Sequence, residues 1–169
     1  MKRVLITGLS GVGKSTVITA LAARGYKAID ADTRAYSHWV AASEVADAAG
    51  TPVEADRDWV WREERITELL ATRDTDLLFV SGTAPNMRQF LPDFDHVILL
   101  SAPAAVIVER LATRTTNTYG KQPDEVLREL DLIHSVEPLL RRIADHEIIT
   151  TVPVEDVLAD ILAVVTPQE

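Results

Sequence analysis

Lys14, Ser15, Asp30 and Asp32 are the residues whose types and spacing best suit chemistry on a polyphosphate. Lys14 and Ser15 lie in Gly8-Leu9-Ser10-Gly11-Val12-Gly13-Lys14-Ser15-Thr16, which has the spacing G-x-x-x-x-G-K-[ST]. The apolar, β-prone run Arg3 to Thr7 precedes it, and Thr16 to Ala23 reads as a helix. Strand, glycine loop and helix make a phosphate-binding loop: glycines turn backbone N–H groups inward and the helix offers its positive end. Gly8, Ser10, Gly11, Val12, Gly13 and Thr16 would cradle the phosphates, with Lys14 reaching the outer ones. The Ser15 hydroxyl would ligate Mg²⁺.

Asp30-Ala31-Asp32-Thr33-Arg34 follows the next expected strand. In extended chain, residues two apart face the same way, so both carboxylates are expected to look toward the loop. One, Asp30, suits Mg²⁺, and the other, Asp32, suits the proton of an attacking hydroxyl. Asp32 or Thr33 is also a fitting helix cap, which does not exclude catalysis. Many phosphate-loop proteins carry an acidic residue at the end of the third strand. Here Val80-Ser81-Gly82-Thr83 stands in that place, which leaves Asp30 and Asp32 as the well-placed carboxylates. Gly82 permits close approach of a ligand to the backbone. Arg34, Arg62 and Arg88 are candidates for gripping an anionic acceptor. Arg110 and Arg114, four apart on one helix face, lead into the polar run Thr115 to Pro123, as a closing lid requires. Tyr36, His38, Trp39, Trp59 and Trp61 cluster between the second and third strands, as an aromatic wall or as core.

The elements that must position these residues follow from pattern. Strands are expected at about 2–7, 26–30, 76–81, 95–101 and 146–150, and helices at about 14–24, 33–48, 57–73, 103–114, 123–145 and 154–165. On that reading Trp59 and Trp61 share a helix and point nearly opposite ways. Alternating strands and helices imply an α/β domain with a mostly parallel sheet covered on both faces, and ligands beyond the carboxyl ends of its strands.

The 169 residues suit one domain, 1–169, with an acceptor region at about 31–73 and a lid at about 114–123. A net charge of −9 argues against nucleic acid as main partner. Apolar runs are too short to span a membrane, and no secretory signal is evident. The absence of cysteine excludes disulfides and thiol nucleophiles and suits a cytoplasmic protein.

The loop, the Asp30-to-Arg34 segment and Arg110-Leu111-x-x-Arg114 together resemble the small phosphate-loop kinases. These are the nucleoside monophosphate, shikimate, gluconate and adenylylsulfate kinases and chloramphenicol phosphotransferase. The resemblance implies a P-loop NTPase three-layer sandwich with a five-stranded parallel sheet and a short lid. It implies an ATP- and Mg²⁺-dependent kinase acting on a hydroxyl or phosphate of a small metabolite, as monomer or homodimer. It further implies that Arg110 and the loop Thr151 to Val154, Pro153 included, lie near the adenine. The adenylate-kinase signature D-G-[FY]-P-R and the glycine-rich acceptor segment of shikimate kinases are both missing. A regulatory nucleotide-binding switch with no small-molecule acceptor is the alternative.

Overall fold

In the computed structural model the described residues are 1–41 and 56–166. The fold starts from runs too apolar to leave either face of a strand in water. Val4, Leu5 and Ile6 of β1 (Lys2–Thr7), Leu78, Phe79 and Val80 of β5 (Leu77–Ser81) and Ile98, Leu99 and Leu100 of β6 (His96–Ser101) are all fully buried. Strands with such double-sided apolar character belong in the middle of a parallel sheet. The order is β2-β5-β1-β6-β7, with β2 at Lys27–Asp30 and β7 at His146–Ile149, and every pairing is parallel. This five-stranded sheet with flanking helices is the fold class expected from the sequence. β1 lies at its centre, so the loop that follows it opens between β5 and β6.

Helix α1 (Lys14–Ala23) buries Val17, Ile18 and Leu21 and packs on β2, β5 and the last helix, α6 (Val154–Val165). α6 presents Val157, Leu158, Ile161 and Val165, the stripe expected from the 3.6-residue repeat. Helix α3 (Ala104–Thr113) sets Ile107 and Leu111 beneath the glycine loop.

Three expectations are corrected. Residues 37–41 and 57–61 are strands, not parts of helices: β3 (Ser37–Ala41) and β4 (Arg57–Trp61) form an antiparallel ribbon. Residues 33–36 form turns, while 42–48 of the helix expected at 33–48, and the part of the acceptor region at 42–55, lie outside the described residues. The reason is local chemistry. Ser-His-Trp-Val-Ala and Arg-Asp-Trp-Val-Trp are rich in aromatic and β-branched residues, which pack better on a pleated surface than around a helix. Trp39 and Trp59, directly paired across the ribbon, meet edge to face with centroids 5.1 Å apart, and the Arg57 guanidinium lies 4.1 Å over Trp39. Only Glu63–Ala71 is helical in the next stretch, as α2. The third correction is at 123–145, which forms two helices, α4 (Pro123–Ser135) and α5 (Glu137–Ile143), broken at Val136 with Pro138 opening the second.

Candidate active site

The site is built outward from the loop after β1. Gly11 and Gly13 have φ of +81° and +105°, which favour glycine strongly. At Gly8 a Cβ would lie 2.5 Å from the Leu100 carbonyl oxygen, so β6 itself demands a glycine there. Gly13 leads directly into α1, whose first residue is Lys14. In this structure the Lys14 ammonium donates to the carbonyls of Gly8 and, at 2.9 Å, Leu9. Burial lowers the Lys14 pKa, against the opposing pull of Asp32, Glu129 and Asp30.

Both aspartates come to this place from the end of β2. The Ser15 hydroxyl donates to Asp30 Oδ2 at 3.5 Å, and Asp30 Oδ1 accepts the Asp32 amide at 3.0 Å. Asp32 is held more elaborately. The Thr83 amide lies 3.2 Å from each of its oxygens, and the Trp61 indole N–H donates to Oδ1 at 3.3 Å. The Trp59 indole N–H donates to the Asp32 carbonyl at 3.0 Å. As strand residues two apart, both tryptophans therefore point to Asp32, the reverse of the helical expectation. Burial is the largest influence on the Asp32 carboxyl and pushes its pKa up to about 6; Lys14, Trp61 and Thr83 oppose it, while Asp30 adds to it.

Gly82 carries a different duty from ligand approach. A Cβ there would meet Asp32 Oδ1 at 2.7 Å and the Trp61 ring at 3.0 Å, at φ +155°. The glycine makes room for the carboxylate. Thr83, not singled out by the sequence, joins the two halves of the site: its hydroxyl donates to Gly8 O at 2.7 Å and accepts the Gly8 amide at 3.2 Å.

The arginines divide. Arg110 donates to the carbonyls of Gly11 and Val12 at 3.3 Å, to Thr150 Oγ1 at 2.9 Å and to the Thr150 carbonyl. It thus braces the glycine loop against the β7–α6 turn. In that turn Pro153 caps α6, while its neighbours Val152 and Val154 line the cleft. Arg114 donates to Tyr119 O at 2.9 Å within the lid. Glu125 fixes the lid's far end, accepting the amides of Gly120, Lys121 and Gln122 at 2.8, 3.1 and 3.2 Å. Arg34 and Arg62 line a separate cavity beside Glu63 and Glu64; of that trio only Arg88 also lines the main cleft.

That cleft, of about 1860 Å³, is lined by the whole loop from Gly8 to Thr16, by Asp30, Asp32, Trp39, Asp58, Trp59, Thr83, Arg88, Arg110 and Arg114, and by the lid. Its lining runs from the glycine loop to Thr150, Val152 and Val154 and also takes in Trp39 and Trp59. Thr83, Thr150, Glu125 and Glu129 were not legible as site residues, since an isolated threonine or glutamate carries no spacing signal.

Residues 4–132 match the family model described as AAA domain. Among known proteins, shikimate kinase 2 of Yersinia enterocolitica is 29% identical over 174 residues, covering 98% of this chain and 97% of that one. Shikimate kinase of Halorhodospira halophila is 29% identical over 157 residues, covering 88% and 84%. The solved structure of shikimate kinase from Acinetobacter baumannii in complex with shikimate superposes with a TM-score of 0.63 at 22% identity, covering 98% of this chain and 93% of that one. A gluconokinase from Sinorhizobium meliloti superposes at 0.52 with 16% identity, covering 96% and 90%. The chain therefore belongs to the AAA domain family, as a small phosphate-loop kinase.

Proposed function

We propose that this ATP-dependent small-metabolite kinase transfers a phosphoryl group to a hydroxyl of a small polyhydroxylated acceptor, with Asp32 as the base. The observation that carries the reading is the Asp32 carboxylate. It is held by Thr83 and Trp61 beside the phosphate loop and faces an aromatic-walled cleft. A carboxyl whose pKa lies near 6 is ionised at neutral pH yet basic enough to accept a proton as the hydroxyl attacks.

The transition state of such a transfer is loose, so positioning and charge neutralisation do most of the work. The loop amides and Lys14 cradle the phosphates. The Ser15 hydroxyl in the first turn of α1 and the Asp30 carboxylate at the end of β2 are hard oxygen donors that would hold Mg²⁺. When bound, that ion supplies charge neutralisation between the outer phosphates. Among the described residues no group of three or more His, Cys, Asp or Glu is arranged to hold a metal, so the nucleotide is a necessary co-ligand in this reading.

At the acceptor end, Trp59 and Trp39 offer flat apolar faces to a ring or carbon chain, and Arg88 is a cation available to an acidic substituent. Arg34 and Arg62 stand outside this space, which weighs against a nucleoside monophosphate acceptor needing several arginines around its phosphate. The relatives are shikimate kinases and one structural neighbour is a gluconokinase; both support alcohol acceptors of this class. The test is transfer from labelled ATP to pooled alicyclic and open-chain polyols, with and without a carboxylate, beside pooled nucleoside monophosphates. Label in the alcohols supports the reading; label in the nucleotides alone overturns it.

A further inference from the structure

Glu129, on α4, is the charged side chain that this mechanism does not use. It is 1% exposed, yet it lines the same cleft as the glycine loop and Lys14. The Tyr119 hydroxyl of the lid donates to its Oε2 at 3.3 Å, while its buried Oε1 has no hydrogen-bond partner. Burial raises its pKa, and Lys14, the Ser10 amide of the loop and Arg114 all pull the other way. Glu129 acts on Lys14 in the same sense as Asp32 and Asp30, favouring the charged ammonium. Arg114, whose buried Nε also lacks a partner, donates through Nη2 to Tyr119 O at 2.9 Å.

These groups form one cluster. A loop amide and the loop lysine, the parts of an anion cradle, face a carboxylate that belongs to the chain. An ionised carboxylate beside incoming phosphates is strongly unfavourable in a partly desolvated site. Two orphaned polar atoms in the same cluster, Glu129 Oε1 and Arg114 Nε, indicate an arrangement whose polar groups are satisfied in another state. We propose that Glu129 is an internal counter-ion, standing in for a terminal phosphate in the nucleotide-free enzyme. A nucleoside polyphosphate binds by displacing it, which frees Tyr119 and Arg114 of the lid to meet the phosphates.

Nucleotide binding by the full chain tests this. Glu129→Gln keeps the shape and can still accept from Tyr119, but removes the competing charge. Titration calorimetry is run with the Mg²⁺ complex of a non-hydrolysable ATP analogue and with adenosine. The expected result is a Kd for the analogue lower by on the order of tenfold, with that for adenosine unchanged. An unchanged or weaker affinity for the analogue overturns the proposal, as does equal tightening for adenosine, which would signal general repacking. If the glutamine variant fails to unfold cooperatively, Glu129→Met, similar in length and uncharged, carries the same expectation. The inference rests on the kinase reading only through the nucleotide. A wild-type chain that binds the analogue, with a variant that binds it no tighter, overturns the counter-ion alone; a wild type that binds no polyphosphate overturns both.

Discussion

At the residue scale, Asp32 is where sequence and structure add to one another. The D-x-D spacing marks the carboxylate as chemically suited, but nothing in the spacing reveals that the Trp61 indole and the Thr83 amide hold it, or that the Trp59 indole holds the Asp32 carbonyl. Those partners come from β4 and from the turn after β5, far away in sequence. Their role depends on a ribbon that helical periodicity had concealed. Gly82 was legible as a place of close approach, although the approaching group is Asp32 itself. Gly82→Ala should therefore cost at least about a hundredfold in kcat by displacing the base, with KM for ATP little changed. Steady-state kinetics check this, and near-normal turnover would contradict it. The pH profile follows from the raised pKa. Activity should fall as pH drops through about 6, because the proton-accepting form of Asp32 is lost. Stability runs the other way. The folded-state pKa lies above the ordinary value of 3.8, so the stability this group contributes is full below that value and is lost as pH rises through about 6. At pH 8, Asp32→Asn should thus unfold at a temperature equal to or above wild type, while being inactive. A clear drop in Tm there would show that the carboxylate is structural.

At the scale of elements, the parallel sheet was readable because its strands announce themselves as continuous apolar runs, each bounded by polar turns. The ribbon of β3 and β4 was not, since short aromatic segments fit either period and tertiary pairing decides between them. On the proposed reading the ribbon adds the acceptor wall, since Trp39 and Trp59 line the cleft. Trp59→Ala should raise KM for the acceptor by about tenfold while leaving KM for ATP near its starting value. Arg88→Ala should raise KM for acidic acceptors and spare neutral ones. Kinetics with matched acid and neutral polyols separate these effects; equal losses for both acceptor types would remove Arg88 from substrate binding. The lid is likewise an element held by one carboxylate and one glycine. Glu125 takes three consecutive amides, and a Cβ on Gly120 would meet Leu111 at 2.7 Å at φ +87°.

At the scale of the whole molecule, the chain is an open parallel sheet whose strand ends line a common cleft. On the proposed reading the loop after β1 takes the polyphosphate and the end of β2 brings the base, and Thr83 after β5 ties these two segments together. The turn after β7 is tied to the glycine loop through Arg110 and Thr150. Because folding and nucleotide binding share this architecture, a saturating ATP analogue should stabilise the fold. At a hundred times Kd the gain is about 2.7 kcal/mol, which raises Tm by about 5–10 °C for a domain of this size. Lys14→Ala should abolish most of that shift without unfolding the apoprotein.

The central claim is that Asp32 activates an alcohol for attack on bound ATP, and ³¹P NMR of the running reaction tests it most directly. With ATP, Mg²⁺ and the best acceptor from the polyol pool, wild type should give a phosphate monoester signal growing in step with ADP. Asp32→Asn, still binding the nucleotide, should give a rate lower by at least about a hundredfold. Inorganic phosphate as the sole product, at the same rate in both proteins and with any acceptor, would contradict the account.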